Sequence, residues 1–216
     1  MNFKIITILP VLSVLAAFTA GPAFSAGAKI VEETKTIGPA AIRIQIPVSS
    51  AREEISAREA IGKAFKEASG LNAAANVSTG QIIDKEVAVL KDNGILNALI
   101  NSDAQIYSLG QKSAGEMWKA WIPDPARKNK KVFAILRLKD KAVVTVRNNT
   151  ISASVVADTA GDAERLAKEL LAQGPNGLKT AQDLGLDALL LIKEGNKFKT
   201  GMAGGFKEQY GKTGNR

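Results

Sequence analysis

A stretch near the start of the chain alternates strictly between apolar and polar residues. Ile42, Ile44 and Ile46 are separated by single polar side chains, which is the period of a half-buried β-strand. Residues 29–46 as a whole are expected to be extended, and Pro47 is expected to end the strand.

Helical spacing then replaces this alternation. Ser50 and Glu53 have the capping-box spacing that opens a helix, and an alanine-rich helix is predicted over residues 50–69. A second helix is predicted over residues 81–91, and the short apolar segment 95–100 is also predicted to be helical. Small alanine side chains would let the first helix lie close to a sheet.

The second half of the chain favours strands. Residues 131–139 alternate so that four apolar residues lie on one face and Phe133 and Ile135 lie on the other. We interpret this pattern as a central strand covered on both sides. Further strands at 142–147 and 151–157 are followed by a helix at 162–172, a short helix at 178–184 and a strand at 188–192. Such a strand–helix–strand unit is parallel and right-handed when its strands share a sheet.

Together these elements predict an α+β fold. A mainly antiparallel sheet, built from the strands between residues 104 and 157, would pack on the alanine-rich helix, and residues 29–150 would form this α+β domain. The C-terminal βαβ unit, residues 151–200, either extends the sheet or forms a small second lobe. The polar, glycine-rich residues 201–216 are expected to form a flexible tail.

The first 28 residues have the composition of an export signal. Lys4 is followed by an apolar run over residues 5–20 and then by small residues, and cleavage after Ser25 or after Ala28 fits this pattern. The run is too short for a good membrane span. We therefore expect an exported chain without a transmembrane segment once the signal is removed, with the bacterial periplasm as its location.

The chain contains neither cysteine nor histidine. Disulfides are therefore excluded, as are Ser–His and Cys–His nucleophile pairs and conventional zinc or haem sites. We accordingly expect no catalytic residue, no metal and no cofactor. Catalysis by carboxylates alone, as in a hydrolase, stays open as an alternative.

The formal net charge is +8, and the densest basic run contains Arg127, Lys128, Lys130 and Lys131. This run is either a solvated loop or a contact for an anionic cell-surface polymer or an acidic partner protein. Nucleic acid is not an expected partner, because an exported chain with few aromatic side chains offers little on which bases can stack.

Two tryptophans lie three residues apart before this basic run. Trp121 is expected to pack in the core over the strand at 131–139. Trp118 is then the candidate contact with a partner protein, because exposed tryptophan is favoured at interfaces.

Four segments between residues 50 and 140 follow one another in a familiar order. They are an alanine- and arginine-rich helix at 51–60, a glycine-containing segment at 108–110, a tryptophan with an acidic turn at 121–125, and an aromatic–aliphatic strand at 132–138. This order resembles the LPP family of small envelope lipoproteins and the N-terminal domain of the flagellar T-ring protein. Those lipoproteins carry an acylated cysteine, which this chain lacks.

The resemblance implies an exported, non-enzymatic periplasmic protein with a structural or assembly role in the bacterial envelope or a surface appendage. Its partners would then be envelope or appendage proteins. The charge supports an alternative, a soluble binding module for an anionic cell-envelope ligand.

Overall fold

The computed structural model describes residues 29–73, 76–125, 132–195 and 197–206. The predicted export signal and the basic run at 127–131 lie outside these ranges. Ten strands are described: β1 (Lys29–Ile37), β2 (Ala40–Val48), β3 (Ala98–Ser102), β4 (Gln105–Leu109), β5 (Trp118–Pro123), β6 (Val132–Leu138), β7 (Lys141–Arg147), β8 (Ile151–Ala157), β9 (Asp187–Glu194) and β10 (Lys197–Ala203). The helices are α1 (Ala51–Asn72), α2 (Thr79–Asp92), α3 (Ala160–Ala172) and α4 (Gly177–Asp183), with a single 3₁₀ turn at Gly174–Asn176 before α4.

Eight of the strands form one sheet in the order β1-β2-β3-β4-β7-β8-β9-β10. Each pair of neighbours is antiparallel, which confirms the predicted α+β class with a mainly antiparallel sheet. Strands β5 and β6 pair only with each other. Because β4 pairs directly with β7, this hairpin leaves the sheet and returns without interrupting it.

The sheet separates two apolar layers, because successive side chains of a strand point to opposite faces. Tyr107 of β4 packs with α1 and α2 on one face, whereas its neighbour Ile106 packs with the β5–β6 hairpin on the other. A third cluster lies between β8, β9 and the helices α3 and α4. The three described cores lie entirely between Ile30 and Phe206.

Helix α1 begins where its sequence predicts and ends three residues later than predicted. The Ser50 side chain accepts a hydrogen bond of 3.2 Å from the backbone N–H of Glu53. The Glu53 carboxylate accepts from Ser49 rather than from Ser50, so only half of the expected capping box forms. The helix continues through Gly70 to Asn72, and four of its alanines form the buried face together with Ile61 and Phe65.

Helices α2 and α3 meet at their N-terminal ends and cap each other. The carboxylate of Asp84, in α2, accepts hydrogen bonds of 2.7 and 2.9 Å from the backbone N–H groups of Ala160 and Gly161. The carboxylate of Glu164, in α3, accepts one of 2.7 Å from the N–H of Gly80. A Cβ atom at Gly80 would lie 2.6 Å from the carbonyl oxygen of Ala160, so a glycine is needed for this close approach.

Three predicted elements differ from the structure. Residues 95–100 form no helix, since β3 begins at Ala98. The strand predicted at 131–139 is β6, which is not central: Ala134 and Leu136 are buried while Ile135 is exposed on the opposite face. The strand–helix–strand order at the C-terminus is present and extends the sheet, but β8 and β9 are antiparallel neighbours.

The start of the predicted flexible tail is also ordered. Residues 201–203 belong to β10, which pairs with β9, and Phe206 is fully buried in the hairpin-side core. Residues 207–216 lie outside the described ranges.

The two tryptophans have the reverse of their expected environments. Trp118 is buried, and its indole N–H donates a hydrogen bond of 3.0 Å to the carbonyl oxygen of Leu109. Trp121 is 39% exposed. The expectation that Trp118 contacts a partner is therefore wrong, as is the placement of Trp121 in the core, because alternation along β5 turns residues 118, 120 and 122 inward.

Candidate functional site

The main cleft of the described structure has a volume of about 1240 Å³ and lies at one end of the sheet. Its walls come from the end of β2, the first two turns of α1, the C-terminal end of α2, the segment before β3, the end of β4 and the turn between β6 and β7. Ligand cavities in proteins usually measure about 300–1,000 Å³. The main cleft can therefore hold a ligand at or above the upper end of this range.

Apolar side chains form much of the cleft surface. Ile46 and Val48 come from β2, Leu109 from β4, and Ile95 and Leu96 from the segment that leads into β3. Leu96 is 70% exposed at the rim. A flat aromatic ring could therefore bury its faces here, since such sites hold ligands mainly by apolar contact.

Gly110 and its neighbours fix the wall between β3 and β4. The N–H of Gly110 donates a hydrogen bond of 2.8 Å to Asp140, and the N–H of Gln111 donates one of 2.8 Å to the Asn97 side chain. Gly110 has φ of +57°, and a Cβ atom there would clash with the carbonyl oxygen of Leu96. Glycine is thus required at position 110 for the end of β4 to approach the segment before β3 this closely.

Five charged side chains line the main cleft, and their electrostatics favour an anion. Arg52, Lys91 and Lys139 are exposed and form no salt bridge with any other described residue. Glu53 and Asp140 already accept hydrogen bonds from backbone N–H groups. The charged lining of the cleft therefore consists of three cations without a described salt-bridge partner and two carboxylates held by backbone N–H groups. Three positive and two negative charges leave a net charge of +1, which suits a phosphate-bearing ligand.

The pKa of Glu53 is held below its usual value, mainly by the hydrogen bond from the Ser49 backbone and then by the bond from the Ser49 hydroxyl. A general base near neutral pH works best with a pKa close to the working pH. Glu53 is therefore a weak candidate for removing a proton, and its described role is to fix the start of α1.

A smaller cleft, of about 470 Å³, lies where the N-terminal ends of α2 and α3 meet. Burial would raise the pKa of Glu164 there, but Lys168, the Gly80 N–H and Ser78 together lower it. Asp84 and Glu164 are both engaged in the mutual caps. The carboxylates of this smaller cleft are therefore already bonded to other groups of the protein. The main cleft is the better candidate site.

Within the described residues, no group of three or more histidine, cysteine, aspartate or glutamate side chains is arranged to hold a metal ion. None of the helices in the same ranges is long and apolar enough to cross a membrane.

The sequence did not point to the main cleft. Arg52, Lys91 and Lys139 are far apart in the chain, and no sequence motif connects them. The basic residues that were predicted as an anionic-surface contact (Arg127, Lys128, Lys130 and Lys131) lie outside the described ranges, so that contact stays a prediction.

Comparison with known proteins gives a consistent result. The model of the ApbE family matches residues 6–146, well over half of the chain. The FAD:protein FMN transferase of Escherichia coli (strain K12) is 24% identical over an alignment of 158 residues, and the match covers 61% of this chain and 45% of that protein. The enzyme of the same name from Klebsiella pneumoniae (strain 342) is 22% identical over the same shares. The chain thus spans about half the length of the curated relatives it matches.

Solved structures agree on the fold. The flavin transferase ApbE from Vibrio cholerae has a TM-score of 0.62 at 15% identity, covering 84% of this chain and 99% of that one. The Pseudomonas stutzeri flavinyl transferase ApbE, in its apo form, has a TM-score of 0.62 at 14% identity, with 84% and 96% covered.

These matches correct the interpretation drawn from the sequence. The resemblance to the LPP family and to the T-ring domain is wrong, since all four segments that carried it fall within the ApbE match. The expectation of a non-enzymatic structural or assembly protein is overturned with it, as are the anionic-ligand module and the carboxylate hydrolase, because the relatives are named as flavin transferases. With residues 6–146 matched to the family model, the chain belongs to the ApbE family.

Proposed function

We propose that this chain binds FAD in the main cleft and transfers its FMN part to an acceptor protein. The observation that carries the proposal is the charge arrangement of the cleft: Arg52, Lys91 and Lys139 have no described salt-bridge partner, and the two carboxylates are bonded to backbone N–H groups. Membership of the ApbE family and the names of the curated relatives support the same activity.

The shape of the cleft is compatible with this substrate. FAD combines two flat ring systems with a doubly charged pyrophosphate between them. The apolar surface from Ile46, Val48 and Leu109 would cover a ring, and the cations would contact the phosphate oxygens. The volume of about 1240 Å³ accommodates a dinucleotide.

The proposed reaction exchanges one bond to phosphorus for another. A nucleophilic side chain of the acceptor protein forms a bond to the phosphorus on the flavin side of the pyrophosphate. The bond from that phosphorus to the bridging oxygen breaks, AMP leaves with the bridging oxygen, and the nucleophile loses its proton. Preorganised cations stabilise the charge that develops on the phosphate oxygens.

Titration with FAD tests the binding step. We expect Arg52→Ala and Lys139→Ala each to weaken FAD binding by about tenfold or more, because a hydrogen bond to a charged group is worth about 1.5–3 kcal/mol. Lys179→Ala is the matched control, since Lys179 pairs with Asp183 on α4 and does not line the cleft. The assignment of the cleft would be refuted if the wild type did not bind FAD, or if the wild type and all three variants bound it equally well.

Release of AMP tests the transfer step separately. Incubation with FAD and a periplasmic extract should produce AMP together with a protein band that carries covalent flavin fluorescence. FAD that binds but is not consumed would leave the cleft assignment intact and refute transfer.

A second candidate function is retention of FAD without transfer. It is favoured by the absence of histidine from the whole chain and by the low pKa of Glu53, which makes this cleft carboxylate a poor base. Bound FAD that remains intact in the AMP assay, under conditions in which a longer ApbE protein consumes it, is the result that this second function predicts.

We also propose that the chain acts after export, so that its acceptor would be an envelope protein. The support is the signal-like composition of the first 28 residues. Cell fractionation followed by N-terminal sequencing tests this: a start immediately after Ser25 or Ala28 in the periplasmic fraction is expected, and an intact cytoplasmic chain would contradict it.

A further inference from the structure

The outer face of the β5–β6 hairpin combines apolar and cationic side chains in paired rows. In the register of the two strands, Lys119 lies opposite Arg137, Trp121 opposite Ile135, and Pro123 opposite Val132. These six residues are called the hairpin face below. Trp121, Ile135 and Val132 are 39%, 49% and 46% exposed, although all three are residue types that folding usually buries.

The charges of the hairpin face are unfavourable for the isolated protein. Like charges directly opposite one another on one side of an antiparallel pair destabilise it, and Lys119 and Arg137 form no salt bridge with a described residue. Glu116, just before β5, is bonded to Lys112 and Ser113. The Glu116 carboxylate attracts Lys119 by its charge without bonding to it, and an anionic partner would stabilise the cationic pair further.

The size of the hairpin face indicates which kind of partner. Two strands of about six residues cover roughly 20 Å by 10 Å, or about 200 Å², while a stable protein interface buries about 800 Å² on each side. A lipid surface needs no such matching area, because each inserted apolar side chain and each cation near anionic headgroups adds its own contribution. Tryptophan is enriched at such water–lipid boundaries.

We propose that the hairpin face docks on an anionic lipid surface. Trp121, Ile135 and Val132 enter the headgroup region, and Lys119 and Arg137 contact lipid phosphates. The hairpin lies outside the main sheet, so docking leaves the fold and the main cleft unchanged. This interaction does not depend on the proposed flavin chemistry.

The test uses the chain from Lys29 onward, which contains all of the described cores and lacks the apolar N-terminal run that would itself enter lipid. The protein is mixed with vesicles of equal parts phosphatidylglycerol and phosphatidylcholine, and bound protein is measured by co-sedimentation. The chain has two tryptophans, and Trp118 is already buried. A blue shift of tryptophan emission on binding, with quenching by brominated lipid, therefore reports on Trp121.

Two double variants separate the apolar and the ionic contributions. We expect Trp121→Ala with Ile135→Ala, and Lys119→Glu with Arg137→Glu, each to lower the vesicle partition coefficient at least about tenfold. Leu184→Ala is the control, since Leu184 is an exposed apolar residue at the end of α4. Circular dichroism and thermal melting should show the same fold for every variant.

The expected pattern is binding to anionic vesicles, weaker binding at high salt, little binding to pure phosphatidylcholine, and a Trp121 blue shift. Equal binding by the wild type and either double variant would overturn the proposal, because another basic segment would then be responsible. Binding to soluble polyglutamate as strong as to vesicles, without a shift in emission, would overturn it in favour of an acidic protein partner. Failure to bind anionic vesicles would overturn it as well.

Discussion

The side chain of Glu86 is fully buried in the middle of α2. Its neighbours one turn away, Ile82 and Leu90, belong to the apolar core between the helices and the sheet. Neither carboxylate oxygen has a hydrogen-bond partner among the described residues. Burying a charged carboxylate without a partner is strongly unfavourable, so the folded protein favours the neutral, protonated form of Glu86.

Burial raises the pKa of Glu86 from its ordinary 4.5 to about 8. Between these two values the folded protein holds a proton that the unfolded chain has released. Stability contributed by this group is therefore fully present below about pH 4.5 and is lost progressively as the pH rises to about 8. The loss is about 1.4 kcal/mol for each pH unit, or about 3 kcal/mol between pH 5 and pH 7.

Glu86→Gln removes the titration and keeps the size of the side chain. We expect its free energy of unfolding to match that of the wild type within about 1 kcal/mol at pH 5 and to exceed it by about 3 kcal/mol at pH 7. Glu86→Met should be the more stable protein at both pH values, because it also removes the buried polar group.

Urea unfolding at pH 5, 6, 7 and 8, followed by circular dichroism, measures these differences. Glu59→Gln is the control, since Glu59 is an exposed carboxylate on α1. Carboxylates whose pKa is lowered, such as Glu54 by Lys29 and Glu116 by Ser113, behave in the opposite way: their contribution is lost only as the pH falls through the lowered pKa. A constant difference between the wild type and Glu86→Gln from pH 5 to 8 would show that Glu86 is not held neutral.

Three further changes test individual contacts. Gly110→Ala should destabilise the protein by about 2–4 kcal/mol, through the left-handed backbone and the clash with the Leu96 carbonyl oxygen, and should weaken FAD binding; unchanged melting would contradict the wall geometry. Trp118→Ala should lower the free energy of unfolding by about 3–5 kcal/mol, whereas Trp121→Ala should lower it by less than about 1 kcal/mol; a reversed order in urea unfolding would mean that β5 faces the other way. Asp84→Ala should cost about 2–3 kcal/mol in the same assay, because it removes a charged acceptor from two backbone N–H groups, and a neutral result would show that these bonds do not stabilise the fold.

Long periodic segments predicted their elements well. The alternation at residues 42–46 is part of β2, and the helical spacing after Ser50 and Gln81 is part of α1 and α2. The segment 95–100 was wrongly predicted to be a helix, because a short apolar run has the same pattern in a buried strand and a buried helix. Only its pairing with β2 and β4 makes it a strand.

The errors in the second half of the chain also arose from long-range strand pairing, which the local sequence does not show. Nothing local to residues 151–192 shows whether two strands joined by a helix lie parallel, and here β8 and β9 are antiparallel neighbours. The two tryptophans illustrate the same limit, since a shift of one residue in β5 exchanges its faces. Trp118 faces the core because it reaches the Leu109 carbonyl oxygen, which lies in another strand.

The main cleft could not be predicted because its charged residues come together only through the sheet. Arg52 lies in α1, Lys91 at the end of α2, and Lys139 in the turn before β7. Each is an ordinary exposed cation in its own segment. The absence of histidine and cysteine from the sequence argued against familiar catalytic sites, but phosphate recognition by lysine and arginine needs neither residue.

The mutual caps of α2 and α3 have a consequence for local unfolding. The first N–H groups of a helix lack partners within the helix, so their hydrogens usually exchange rapidly with solvent. Here the amides of Gly80, Ala160 and Gly161 donate to carboxylates of the other helix. Their exchange requires separation of the two helix ends, so these three amides should exchange slowly and at one common rate, as parts of a single cooperative unit.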